Sequence, residues 1–386
     1  MKETKKKKKS RDVRAHIGAF FRNKKAATVT AILLAACLLL GTLLALFLPA
    51  GAVCYRYGGR AMREEVYRYY FACLKYDYLV RYKSLGITDT EEEWQEVGED
   101  GQTYEAAFKD AIEEELRLRL VASRLFDSLH LSLSADDYAD IDALLSNFKT
   151  YSYDESPYAE LRKTYGIRAK RVVKQVALYE KKYTALLYEL FGSDGSGVLA
   201  TEYREELKLF YEKFYYRYNV IYVKDENTAN NAIIREALSD GTDPAEFERL
   251  ESAYSDMSVT SGNYPHGIYL YAGGSYTYAT SGLDDALIEA ARSLDEVGAF
   301  TEARSSTDDG TFYVLRYTLD EAPYLLDGEW VKTAFADLPA SAAVFVYRRQ
   351  LLAHFDEIKT GKPVAEQTVA AAIACRDYNA VRMLGK

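Results

Sequence analysis

The sequence predicts a multidomain α+β protein: a mostly α-helical domain, a small α+β domain inserted after it, and C-terminal helices. Three observations predict it. Between residues 54 and 205 apolar residues recur at helical spacing through several long segments. Between Tyr218 and Tyr317 two β-branched, alternating segments enclose helix-patterned ones, in the order β-α-α-loop-α-β. Ahead of both, no charged residue occurs from Ala26 to Tyr55. A helix needs about 20 apolar residues to span a bilayer, so this run predicts a transmembrane segment.

The composition fits that outline. The chain has 386 residues, 48% hydrophobic and 28% charged, enough for more than one core. With 7 Pro, 23 Gly and 4 Cys it is neither collagen-like nor a disulfide scaffold. The net charge of -9 is unevenly spread. Residues 1–25 hold 11 of the 49 Lys/Arg and 2 of the 58 Asp/Glu, leaving 38 against 56 for the rest. An acidic body argues against nucleic acid as a partner. Basic residues before an apolar run stay cytoplasmic, so the body is expected outside the cell membrane, held by one pass.

Three readings of the apolar run stay open. It fits an uncleaved signal anchor best. Ala50-Gly51-Ala52 is a small-x-small cleavage site, although the run is long for a signal peptide. Leu34-Ala35-Ala36-Cys37 has lipobox form, but apolar residues continue through Leu48 where a polar tether belongs. The expected parts are a basic cytoplasmic stub (1–25), a signal anchor (26–53), a helical domain (54–205, with a linker at 192–197), a middle domain (206–322) and a C-terminal helical region (323–386) packing on the helical domain.

Each element has its own signal. Val53–Tyr57 reads as a short strand, Gly58-Gly59 as its turn, and a tyrosine-rich amphipathic helix follows through Val66, Tyr69, Tyr70, Cys73 and Leu74. Residues 90–103 are acidic and turn-like. Phe108, Ile112, Leu116 and Leu120 recur every four residues, giving a helix over 104–129. Ser134 caps the next helix, with Asp136, Asp137 and Asp140 in its first turns; capping and the helix dipole explain these acids better than a metal does. Ser156-Pro157 opens a helix that Gly166 ends. Residues 168–191 form a long helix with Val172, Val176, Tyr179, Tyr183, Leu187 and Leu190 on one face. After the Gly-rich linker, residues 201–215 are helical, 218–223 a strand, 226–239 helical, and Asp243-Pro244 starts a helix to Tyr254. Residues 260–282 are loop and short strand, 284–294 helical, 311–317 a strand. Helices return at 329–358 and near 369–383.

The cysteines, 37, 54, 73 and 375, lack metal spacing. Cys73 and Cys375 are a possible pair that nothing in the sequence requires. So few cysteines outside the cytoplasm suit a Gram-positive envelope. No P-loop, dinucleotide fingerprint or HExxH is present, so no cofactor, metal or nucleotide is expected.

The order of elements and one motif resemble the extracytoplasmic parvulin-type foldases of the SurA/PrsA class, over about residues 53–360. The opening strand, Gly-Gly turn and tyrosine-rich helix resemble the start of a SurA-like chaperone domain. Glu206-Leu207 and Phe210-Tyr211-Glu212 resemble the lead-in to the isomerase domain. Leu238-Ser-Asp-Gly241 with Phe247, Leu250, Tyr254, Ser255 and Asp256 is similar to the parvulin L-x-x-G…F-x-x-L-x-x-x-Y-S segment, and Gly310–Tyr317 to the last parvulin strand.

That resemblance implies prolyl isomerisation, a rotation opposed by the partial double bond of the amide and taking tens of seconds or longer uncatalysed. It also implies two histidines in the sheet with a Cys or Asp beside them. Those positions fall here on Val220, Tyr313 and Met257. The family's Gly-rich loop is replaced by Gly262–Gly267, whose His266 is the sole histidine of the domain and a weak catalytic candidate. Proline-ring positions fall on Leu283 and Leu287. Phe247, Tyr313, Tyr69 and Tyr70 complete the candidate substrate contacts, the last two because 34 tyrosines suit adhesion to unfolded chain. The expected function is a membrane-anchored foldase or chaperone for unfolded secreted proteins with a degraded isomerase site. An active isomerase with altered groups and a non-catalytic envelope scaffold are the alternatives.

Overall fold

The computed structural model describes residues 52–82, 89–98, 101–150, 169–192, 199, 201–239, 243–256, 267–272 and 283–361. The predicted membrane segment, the helix at 156–166, the linker at 193–197, Met257, His266, Cys375 and the tail helix lie outside them. No described helix is long and apolar enough to cross a membrane. The chain divides into two compact units, residues 1–120, 136–178 and 358–384 in one and residues 121–135 and 179–357 in the other, with 385–386.

In the first unit, β1 (Val53–Tyr57) turns at Gly58 and Gly59, both at positive φ, into β2 (Arg60–Arg63). Glycine meets that turn without Cβ strain. β1 also pairs antiparallel with β7 (Lys359–Thr360), giving a three-stranded order β2-β1-β7. Helix α1 (Glu64–Tyr82) begins directly after β2 with two acids in its first turn, complementing the helix dipole. A capped turn, α2 (Glu91–Trp94), replaces the expected irregular tip. Thr90 Oγ1 accepts from the Glu93 N–H at 3.4 Å while Glu93 returns a carboxylate to the Thr90 N–H at 3.2 Å, a reciprocal capping box. Trp94 is thereby buried against Tyr78 and Phe108, and its indole N–H donates to Asp89 at 2.8 Å. Asp89 also pairs at 2.9 Å with the buried Lys75 of α1. The long helix α3 (Tyr104–Ser128) and α4 (Ala135–Thr150) follow. Phe108, Ile112, Leu116 and Leu120 of α3 are all buried, as their four-residue spacing requires. Salt bridges Glu105–Lys109, Glu113–Arg117 and Glu115–Arg119 run along α3.

Helix α5 (Ala169–Phe191) and α6 (Arg204–Phe214) precede β3 (Tyr215–Lys224). The buried face of α5 ends in Leu186 and Phe191, and Leu190 is exposed. Phe191 packs on Tyr203 and Tyr347, drawing the helix's last turn away from the Leu187–Leu190 face expected from spacing. After β3 come α7 (Thr228–Leu238), α8 (Pro244–Tyr254), β4 (Ile268–Tyr271), α9 (Asp285–Arg292), β5 (Phe300–Arg304) and β6 (Gly310–Tyr317). The four strands form one antiparallel sheet in the order β4-β3-β6-β5. The hairpin strand β5 has no counterpart in the predicted order. Its exposed, mixed sequence Phe-Thr-Glu-Ala-Arg alternates too weakly to signal an edge strand.

Two layers of helices cover this sheet. Tyr218, Val220, Tyr222, Phe312 and Val314 meet Leu287, Ala290 and Ala291 of α9 and Leu294 just beyond it. On the other face Ile221, Val223, Tyr313, Leu315 and Tyr317 meet α7 and α8 through Ile234, Leu238, Phe247 and Leu250. Helices α10 (Glu329–Ala334) and α11 (Leu338–Leu352) belong to the same unit. They join it through an aromatic seam in which Phe335 meets Tyr211, Tyr215 and Tyr269, and Phe345 meets Phe210 and Phe214.

Candidate functional site

Strand pairing decides which predicted residues share a surface. Val220 stands opposite Val314, and Ile221 opposite Tyr313. Side chains alternate across a strand, so Val220 and Tyr313 point to opposite faces of the sheet. They do not converge on one substrate. The residues that share the Val220 face are Phe312 and Val314 from β6, with Tyr218 and Tyr222 from β3. Tyr313 is 1% exposed on the α7/α8 side, where its hydroxyl donates to Asn231 Oδ1 at 2.9 Å. Phe247 is fully buried in that same layer. Leu287 and Leu283 do lie on the Val220 face, the first buried and the second partly so.

Tyr69 and Tyr70 are corrected as well. Each is 0% exposed in the core of the first unit. Val66, Tyr67, Phe71, Ala72 and Cys73 are also buried. Helix α1 is therefore enclosed over most of its circumference rather than amphipathic, and these tyrosines cannot meet a partner from solvent. Among the tyrosines of β3 and β4, Tyr215 and Tyr269 are buried in the aromatic seam, while Tyr216 and Tyr271 stay partly exposed.

Polar side chains flanking the Val220 face hold backbone rather than waiting for a ligand. β4 pairs with β3 only over Tyr215–Tyr218. Beyond it the β3 edge is unpaired, and buried or edge N–H groups need acceptors. Ser255 Oγ accepts from the Tyr222 N–H at 3.1 Å, and Asp256 accepts from the Lys224 N–H at 2.8 Å and the Asn227 amide at 2.6 Å. The Tyr222 carbonyl accepts from the Asp256 N–H at 2.7 Å. The Tyr-Ser-x motif is thus a staple that substitutes for the missing strand.

Asp284 is the second staple. It caps α9 by accepting from the Ala286 N–H at 2.8 Å. It also accepts from the hydroxyls of Ser305, Ser306 and Thr307 at 2.6, 2.7 and 3.1 Å and from the Ser306 N–H at 2.8 Å. Burial pushes this carboxyl up, but the converging donors outweigh it and hold Asp284 well below the usual carboxylate range. One side chain so fixes α9 to the β5–β6 turn and sets the height of Leu283 and Leu287 over the sheet.

A cleft of about 320 Å3 opens at the Tyr216–Tyr218 end of this face. Tyr216, Tyr218, Leu270, Tyr271 and Leu294 line it, with Arg292, Asp295 and Arg316. Burial raises the Tyr218 phenol to about 12, against the lowering pull of Arg316 and Arg292. Sequence reading missed Tyr218, Phe312 and Arg316. Their signal was the period of two: Tyr216, Tyr218, Val220 and Tyr222 share one parity, and Phe312, Val314 and Arg316 another.

Solved structures that this chain resembles are PrsA foldases. They include the peptidylprolyl isomerase PrsA of Bacillus anthracis, at 19% identity over 64% of this chain and 95% of that one, with a TM-score of 0.22. PrsA of Bacillus subtilis matches at 21% identity over 68% and 94%, with a TM-score of 0.23. The foldase protein PrsA of Streptococcus pneumoniae matches at 13% over 67% and 91%, with a TM-score of 0.21. No family model and no curated protein matches the chain.

Proposed function

We propose that this chain is a membrane-anchored, extracytoplasmic foldase of the parvulin type that acts chiefly as a chaperone for unfolded secreted proteins. The observation that carries the reading is the Val220 face of the β4-β3-β6-β5 sheet. The element order and the Tyr254-Ser255-Asp256 staple agree with the parvulin motif, yet the polar positions of that motif fall on Val220 and on Tyr313, which is turned to the other face. Val220, Phe312, Val314, Leu287 and two tyrosines are packed together in the core between the sheet and α9, so the motif's position on β3 offers neither a fixed donor nor an open surface for a twisting amide. Losing one preorganised donor at a reacting centre costs about 10²–10³ in rate. Met257 and His266 supply no such set by residue type and number: one is a thioether and the other a single imidazole.

The test has two arms on the purified full chain. Added without nucleotide, it is expected to slow aggregation of a reduced, unfolded secreted protein. In relaxation of a short X-Pro peptide it is expected to leave the rate near the uncatalysed one, and Tyr313→Phe to change nothing. Robust isomerisation that collapses on His266→Ala would make the chain an active isomerase with altered groups. Failure to suppress aggregation across several clients would make it an envelope scaffold.

A further inference from the structure

The cleft at the Tyr216–Tyr218 end of the sheet has a charge pattern that its apolar surroundings do not require. Arg316 projects from β6 into it with its guanidinium carbon 4.2 Å from the centre of the Tyr216 ring. One of its terminal nitrogens donates to the Leu294 carbonyl at 2.6 Å. Stacking and tether together fix the plane of the group. Among the described residues no carboxylate forms an ion pair with Arg316. A guanidinium carries five N–H donors in a rigid fork suited to a carboxylate, and one of these is used here. Arg292, in the last turn of α9, adds a second cation, and the lining offers one acid, the exposed Asp295. The body as a whole is acidic, so a cationic spot walled by tyrosines is a local exception to its charge. The floor is apolar: Leu270, Leu294 and the ring of Tyr218 are buried.

We infer that this cleft binds an acidic segment of unfolded polypeptide, with a carboxylate of Asp or Glu on Arg316 and a neighbouring aromatic side chain against Tyr216 and the apolar floor. The inference rests on the foldase reading and gives it a preference: client segments in which an acid adjoins an aromatic residue. It also explains why the cation is an arginine held flat. A lysine would present a hydrated point charge without the fork or the stack.

The test uses the full chain and fluorescence anisotropy with two labelled ten-residue peptides. One carries a central Glu-Phe-Asp, the other Gln-Phe-Asn at the same positions. The acidic peptide is expected to bind about five- to tenfold tighter, the range that one charge-assisted contact at a half-exposed site supplies. Arg316→Met is expected to abolish the preference, so that the two peptides bind that variant with equal affinity. Tyr216→Leu, which removes the supporting ring but no charge, is expected to reduce the preference and decides the matter if the first variant does not fold. Equal binding of the two peptides, binding of neither, or a preference that survives Arg316→Met overturns the inference. Aggregation suppression measured on the same preparations separates the two levels. Suppression without peptide preference sinks the inference alone, and loss of both sinks the foldase reading beneath it.

Discussion

Asp284 shows how much of this fold hangs on single side chains. Its carboxylate collects donors from three consecutive residues, Ser305, Ser306 and Thr307, besides capping α9. Removing it leaves those donors and the Ala286 N–H without their acceptor. Asp284→Ala is therefore expected to destabilise the chain by about 2 kcal/mol, adding a lost cap to lost charge-assisted bonds. Urea unfolding measures this, and a change under about 0.5 kcal/mol, the level of an ordinary surface substitution, would contradict it. The effect has a pH signature. The folded carboxyl is held below its unfolded value of about 3.9. Its contribution is then fully present above that value and is lost as pH falls through the folded one. The stability gap between the native chain and Asp284→Asn should narrow steadily below about pH 4; a gap that widens on acidification would reverse the sign.

At the level of elements, local punctuation was legible and face assignment was not. Asp243-Pro244 announced α8, and the structure starts that helix at Pro244 with Asp243 accepting from the Glu246 N–H at 2.8 Å. Asp243→Ala is accordingly expected to cost about 1 kcal/mol, the usual worth of an N-cap, and Asp243→Ser much less. Equal losses for the two variants, read from thermal unfolding, would show that the side-chain cap is not what matters there. The helices over 104–128, 169–191, 228–238 and 285–292 were readable from their periods in the same way. That Val220 and Tyr313 lie on opposite faces of the sheet was not legible, because sequence similarity aligns residues along a strand without fixing the pairing register, and a shift of one residue reverses the face. Tyr69 and Tyr70 were misread for another reason. Tyrosine serves buried and surface positions alike, and only burial over most of the circumference of α1 tells the two apart. The aromatic seam escaped notice because its members, from Phe210 to Phe345, are far apart in the chain.

For the whole molecule the governing fact is the separation of charge along the chain. Residues 1–25 are strongly basic, Ala26 to Tyr55 carry no charge, and everything beyond is acidic. Moving that basic stub across a bilayer would be far costlier than leaving it in the cytoplasm, which is the physical content of the positive-inside bias. On the proposed topology the acidic body faces the outside, where a client-binding cleft that selects acidic segments would gain from its own cations standing out against a negative surround. Long-range repulsion between the body and an acidic segment is screened beyond about 8 Å at physiological salt, whereas the contact with Arg316 acts inside that distance. The topology makes a direct prediction. Protease added to intact protoplasts should digest residues 60–386 and leave the stub and apolar run associated with the membrane. Replacing Lys5–Lys9 by glutamine should weaken this orientation and protect a fraction of the body, because the charge bias that sets it is cut. A body protected in the native chain would place it in the cytoplasm and remove secreted proteins as its clients.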